Sequence, residues 1–342
     1  MPTINDGSKH FQAVTYTGNG STNTITGFSF QPDFVWIKGR SGATDHAIYD
    51  AVRGTTLDLA SNTTAAETTQ STGLTAFNST GFTLGALSKV NTNGATYVAW
   101  GWNAGGSTVS NTSGSITSQV RANPTAGFSV VTYTGTGANA NVGHGLGAAP
   151  GFIIIKRRTG SPYSWPVYHS GFSGGANDYL ILDGTQAKAS NIVVWNNTNP
   201  TSSVFSIGTD AFINGSGAPY VAYCFAPVAG YSAFGSFVGN NSADGPYVFL
   251  NFRPKFILIK GSTNASHWAM FDSSRDTYNV AGTDILLANS SGASITTYPE
   301  IDFLSNGFKV RATDANSYIN AASQTYIYAA FAENPFRTAR AR

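Results

Sequence analysis

The chain has 342 residues and a mass of 35.8 kDa, with 41% hydrophobic and 13% aromatic residues, enough for the cores of two or three domains. Only 11% of residues are charged, under the ~25% usual for soluble domains, so the polar surface must come from Asn, Ser, Thr and Gly, which favour turns and strand faces over helices. A net charge of +2 with no Lys/Arg stripe excludes nucleic acid as a partner, and no apolar run nears the ~20 residues of a membrane-inserted helix.

The opening Met1-Pro2-Thr3-Ile4-Asn5-Asp6 lacks the basic start and apolar stretch of a secretion signal. In chain order, the first copy of a recurring pattern then occupies 8–103. Its markers are Val14-Thr15-Tyr16-Thr17-Gly18, Pro32-Asp33-Phe34-Val35-Trp36-Ile37-Lys38, Gly81-Phe82-Thr83-Leu84-Gly85 and Tyr97-Val98-Ala99-Trp100. A Ser/Thr/Asn-rich connector follows, in which Ile116 and Val120 predict a segment lying along a domain. The second copy, 127–229, repeats the markers as Val131–Gly135, Pro150–Lys156, Val204–Gly208 and Tyr220–Tyr223. In the third copy, which abuts the second and runs over 230–336, they become Gly235–Gly239, Pro254–Lys260, Gly307–Arg311 and Tyr326–Ala329. Four ordered markers in three copies imply triplication. The expected divisions are 1–104, a connector 105–126, 127–229, and 230–342 with a short basic tail of Arg337, Arg340 and Arg342.

The markers are rich in Val, Ile, Phe, Tyr and Trp and bounded by Gly, Asn and Pro, the signature of strands. Both faces of the Pro-to-Lys strand are apolar, Phe34 and Trp36 on one side and Val35 and Ile37 on the other, which predicts a sheet interior. The last strand carries a small face (Tyr97, Ala99, Gly101) and a large one (Val98, Trp100, Trp102). The small face would let an opposite sheet approach closely. The expected fold is all-β, three tandem antiparallel β-sandwich repeats of jelly-roll or lectin-like type.

Little in the sequence points to reaction chemistry. The single cysteine, Cys224, sits in an apolar run and reads as a buried thiol. His10, His46, His144, His169 and His267 show no metal-ligand spacing, so no metal and no cofactor is expected. Asp50, His169 and Asp272 share one register at the end of a strand, where changing chemistry reads as structural. Asn240–Gly245 and Asp314–Asn316 offer oxygens that calcium prefers, but turn capping explains them more simply. No catalytic residue stands out, and no enzyme is expected. Glycan contact is the activity best served by the composition, through rings beside amide and hydroxyl groups. The candidates are Trp195 with Asn196 and Asn197, the pair Tyr163 and Trp165, and Tyr298, against the alternative that these rings close the ends of the sandwiches.

Several segments resemble a repeat of bacteriophage virion proteins, tail fibre and related proteins of marine-type phages. In the third copy these are Asn240, Asp244-Gly245-Pro246, Phe252-Arg253-Pro254, Ile259-Lys260, Trp268, Leu304–Lys309, Tyr326-Ile327-Tyr328 and the close Phe331–Phe336. In the first they are Pro32–Lys38, Tyr49–Gly54, Ser61-Asn62 and Tyr97–Trp102. The resemblance implies a virion structural protein, assembled in the host cytoplasm and exposed on the released particle. Its partners would be other virion proteins, further copies of itself (a homotrimer, by analogy with phage fibres) and host surface polysaccharide. A tail-associated fibre or adhesin is expected first, a head decoration or head-fibre protein second, and a depolymerase third.

Overall fold

The computed structural model describes residues 4–277, 279, 282–296, 300–313 and 318–333. The protein is all-β: every sheet is antiparallel, and none of the three α-helices (Ser88–Asn91, Ile192–Trp195, Ala211–Asn214) exceeds one turn.

Three large sheets share one strand order. In the first, Phe11–Thr17 lies beside Thr96–Trp102, which lies beside Phe34–Gly39, then Ala47–Asp50, Gly54–Leu59 and Thr68–Thr69. The second places Phe128–Thr134 beside Pro219–Phe225, Phe152–Arg157, Pro166–His169, Asp178–Ile181 and Ala189–Ser190. The third runs Ser232–Val238, Thr325–Ala332, Pro254–Gly261, Ala269–Asp272 and Leu286–Leu287. Each large sheet has a small companion: Asn23–Thr26, Gly81–Leu84 and Leu74–Asn78 for the first; Ala140–Gly143 with Val204–Ile207 for the second; Tyr247–Phe249, Gly307–Val310 and Ile301–Leu304 for the third.

The Pro-to-Lys strands lie in the sheet interior, as their two apolar faces require; Phe34–Gly39 is buried at every residue. Each last strand runs between the first strand and the Pro-to-Lys strand. Its small face turns to the companion sheet: Tyr97 and Ala99 pack with Ile25, Phe82 and Leu84. A side chain at Gly101 would bring Cβ to 2.4 Å from the Phe28 ring, so glycine is needed for this approach.

The large face turns the other way, into a core shared by all three sheet pairs. Trp102, Phe225 and Phe331 occupy the same place on the three last strands, and their rings meet in a triangle. The centroids are 6.0 Å apart for Trp102–Phe225, 5.5 Å for Trp102–Phe331 and 5.6 Å for Phe225–Phe331. Phe11, Phe34, Phe128, Phe152 and Phe256 surround the triangle. Burying one such ring contributes about 1.5–3 kcal/mol, and each favourable ring pair about 0.5–1.5 kcal/mol more. The connector lies along the second sheet pair: Ser118–Asn123 pairs with Phe128–Thr134 and Val109–Asn111 pairs outside it, with Ile116 and Val120 buried. Arg121 of the connector reaches Asp33 of the first sheet pair at 2.8 Å.

Candidate functional site

Two of the four rings expected to face a sugar lie in the interior. Trp195 is 1% exposed and packs edge-on to Tyr168, inside the core of the second sheet pair. Trp165 is 0% exposed and faces the first sheet pair. Neither offers a ring face to solvent, because both sit in the apolar interior that their composition favours. Tyr163 is half-buried, with the Arg157 guanidinium 4.5 Å above its ring. Asn196 and Asn197 follow the short helix of Trp195 in left-handed conformation (φ 51° and 44°), so they act as a helix stop. Tyr298, Asp314–Asn316 and the arginine tail lie outside the described residues. The candidates are therefore not gathered into one site.

What the structure does gather is chemistry at the three junctions between sheet pairs. Each Pro-to-Lys strand ends in a buried lysine whose ammonium donates to carbonyls of the neighbouring sheet pair. Lys38 donates to Ser291 O at 3.1 Å and to its own neighbour Gly39 O at 2.9 Å. Lys156 donates to Thr64 O at 2.8 Å and to Tyr163 O. Lys260 donates to Thr185 O, Gln186 O and Gly261 O at 3.2, 2.9 and 2.8 Å. The donation is cyclic: first to third, second to first, third to second. Burial pushes Lys38 and Lys156 down to about 8 and Lys260 to about 7, against a usual lysine value near 10.4.

A second layer runs in the same direction. His46, Trp165 and Trp268 share one register, and each donates a ring N–H to the next sheet pair. His46 Nε2 reaches Leu287 O at 3.0 Å, while its Nδ1 accepts from Trp36 Nε1 at 2.8 Å. Trp165 Nε1 is 3.1 Å from both Ala60 O and Thr63 O, and Trp268 Nε1 is 2.8 Å from Ile181 O. Their backbone N–H groups are held by Asn62, Asp183 and Asn289 within their own sheet pairs.

The third layer carries charge. Asp50 Oδ1 accepts from the backbone N–H groups of Val52 and Arg53, and its Oδ2 accepts from Arg53 Nε and, at 2.9 Å, from Tyr223 of the second sheet pair. Arg53 also donates to Glu67, which in turn receives Arg158 of the second sheet pair at 2.8 and 3.0 Å. The junction between third and first is the same arrangement in other residues. Asp272 accepts from Arg275 Nε at 2.6 Å and from Trp100 Nε1 at 2.9 Å, and Asp284 bridges Arg275 to Arg40 at 2.7 and 2.8 Å. Burial opposes the charges on Arg53 and Arg275, but the adjoining carboxylates hold both guanidiniums above their ordinary value. Asp284 is buried and Glu67 half-buried, yet their arginine partners hold both below the usual carboxylate range. At the junction of second and third the position is His169, whose Nε2 donates to Tyr328 O at 3.0 Å and whose Nδ1 accepts from Gly171 N. Burial pushes it down to about 4, so the His169 ring is uncharged at neutral pH and this layer of the junction holds no ion pair.

Sequence reasoning passed over one buried group altogether. Asn91, Asn214 and Asn320 each lie within a sheet pair and tie two loops together. Asn91 Nδ2 donates to Ser21 O and Gly85 O, Asn214 Nδ2 to Ala138 O and Gly208 O, and Asn320 Nδ2 to Ser242 O and Ala312 O, all at 2.6–3.0 Å. Each stands six positions before Tyr97, Tyr220 or Tyr326, whose hydroxyl accepts from Thr92, Gly215 or Ala321 N. That constant spacing was the signal that could have found them.

These groups fasten. The buried acids of the third layer already accept from fixed donors, and the three ammoniums are capped by carbonyl oxygens. Among the described residues, no group of three or more His, Cys, Asp or Glu is placed to hold a metal ion. Nothing matches the chain among curated proteins or among solved structures. A family model, described as a domain of unknown function (DUF7483), matches residues 6–335, all three sheet pairs together. The chain belongs to the DUF7483 family of unknown function.

Proposed function

We propose that this protein is a non-catalytic structural component of a bacteriophage particle, made of three tandem β-sandwich copies that close into a ring. The strand order supports a jelly-roll or lectin-like type, with first beside last beside third in one sheet and second beside penultimate in the other. The observation that carries the structural role is the cyclic set of buried contacts. In all three layers the polar groups at the junctions hold neighbouring copies together. The particle itself rests on the resemblance of the markers to virion proteins. A tail-associated fibre or adhesin that touches host polysaccharide is the first reading, and a decoration or fibre protein of the head is the second. A homotrimer is not needed for threefold arrangement, since one chain already brings three copies around one core.

Immunogold electron microscopy of intact virions tests the reading. Gold at the tail supports the fibre, gold over the head selects the decoration protein, and unlabelled particles overturn both. Release of reducing ends from host polysaccharide by the pure protein would establish a depolymerase in their place.

A further inference from the structure

Among the described residues only two large aromatic side chains are exposed, Phe249 at 61% and Tyr247 at 47%. They stand two apart on Tyr247–Phe249, an edge strand of the third small sheet, so both point outward while Val248 points into the core. Their spacing along the strand is about 7 Å. Beside Phe249 the neighbouring strand carries Gly307, where a side chain would run into the Val248 backbone, so no side chain stands across from the ring; beside Tyr247 it carries Lys309. Lys309 pairs with Asp244, and Arg311 approaches Asp302 at 3.5 Å.

The other two sheet pairs treat the same place differently. In the first it holds Thr24 and Thr26, exposed hydroxyl residues. In the second it lies under the connector, where Ser115 bonds Asn141, Ile116 bridges to Val142, and Asn111 sits against Gly143. Only the third presents bare rings. A structural role common to the three copies therefore does not explain them, and a large exposed apolar feature marks a contact surface.

We propose that this face binds a neutral polysaccharide, with the apolar faces of successive sugar rings laid on Tyr247 and Phe249. The chemistry of the surround selects that occupant. Two cations and two carboxylates balance, which suits neither a polyanion nor a purely apolar protein face. They offer both donors and acceptors to ring hydroxyls, and the open face admits a chain side-on. The inference deepens the host-contact part of the proposed function and rests on it.

The test is native affinity electrophoresis in gels containing dextran, mannan, laminarin, galactomannan or, as an anionic control, alginate. The wild type is expected to be retarded by at least one neutral polysaccharide. Tyr247→Ala/Phe249→Ala should weaken that retardation about tenfold or more, at an unchanged melting temperature, while Tyr247→Phe keeps it. Equal retardation of the double variant would overturn the site and leave glycan contact to another surface. Retardation by alginate alone, or by no gel, would overturn the neutral-polysaccharide assignment without touching the particle reading, which gold labelling decides separately. If the wild type sediments as a dimer and the double variant as a monomer, the face belongs to a second copy of the chain and the proposal fails.

Discussion

At Lys260 a single side chain satisfies three carbonyl oxygens, two of them from the neighbouring sheet pair. Lys260→Ala leaves those acceptors buried without donors and should lower stability by about 2–3 kcal/mol in urea unfolding. Lys309→Ala, which removes an exposed ion pair, should stay within about 0.5 kcal/mol. The clasp lysines also set a pH dependence. Their folded values are depressed below the unfolded one, so at alkaline pH the unfolded chain binds more protons than the folded one, and stability rises with pH. The expected window runs from about pH 7, set by Lys260, to about pH 10. A neutral amine keeps two N–H donors, enough for both carbonyls at Lys38 and at Lys156 and for two of the three at Lys260. Melting temperatures that fall steadily across that window would contradict the reading. The carboxylates at the junctions behave otherwise. Asp50→Asn removes the charge facing Arg53, inside a buried network, and should cost about 3–5 kcal/mol. His169→Asn, where the matching position holds no ion pair, should cost less than Asp50→Asn by the same assay.

At the scale of elements, the asparagine ties make a sharper case than the strands. The Asn214 amide joins two loops and accepts from Thr136 N, so Asn214→Ala should cost about 1–3 kcal/mol and speed hydrogen exchange at Thr136. Equal protection of that amide in the variant would show that the tie is dispensable. Much of this level was legible beforehand. Two apolar faces placed Phe34–Gly39 inside a sheet, and small residues on one side of Thr96–Trp102 marked the face that meets another sheet. The glycan candidates were not legible, because composition tells that a tryptophan is beside amides but not which way its ring turns. Trp195 turned inward, while Tyr247 and Phe249 turned outward from a strand whose neighbours differ among the three sheet pairs. The lysine ending each marker strand was visible three times over. Its role was hidden, since the carbonyls it serves belong to another sheet pair, 253 positions away for Lys38 and Ser291.

For the whole molecule, the ring triangle of Trp102, Phe225 and Phe331 makes the sheet pairs depend on one another. Calorimetry should therefore show one transition, with calorimetric and van't Hoff enthalpies in agreement. Three resolved transitions would mean that the sheet pairs melt independently. A fragment of residues 127–229 alone should expose Tyr223 and Phe225 to water and fail to give a soluble, cooperatively folding monomer.

Ring closure also imposes a timetable. The first sheet pair leaves the ribosome early, yet Lys38 waits for Ser291 and Trp100 for Asp272. At about 5–20 residues per second, translation of the 253 positions from Lys38 to Ser291 takes roughly 13–50 s. Throughout that interval the Lys38 ammonium lacks its acceptor across the junction, and the Trp100 indole likewise precedes Asp272 by 172 positions. The growing polypeptide thus remains an open arc until its third sheet pair emerges, and only then can the cycle of buried contacts close.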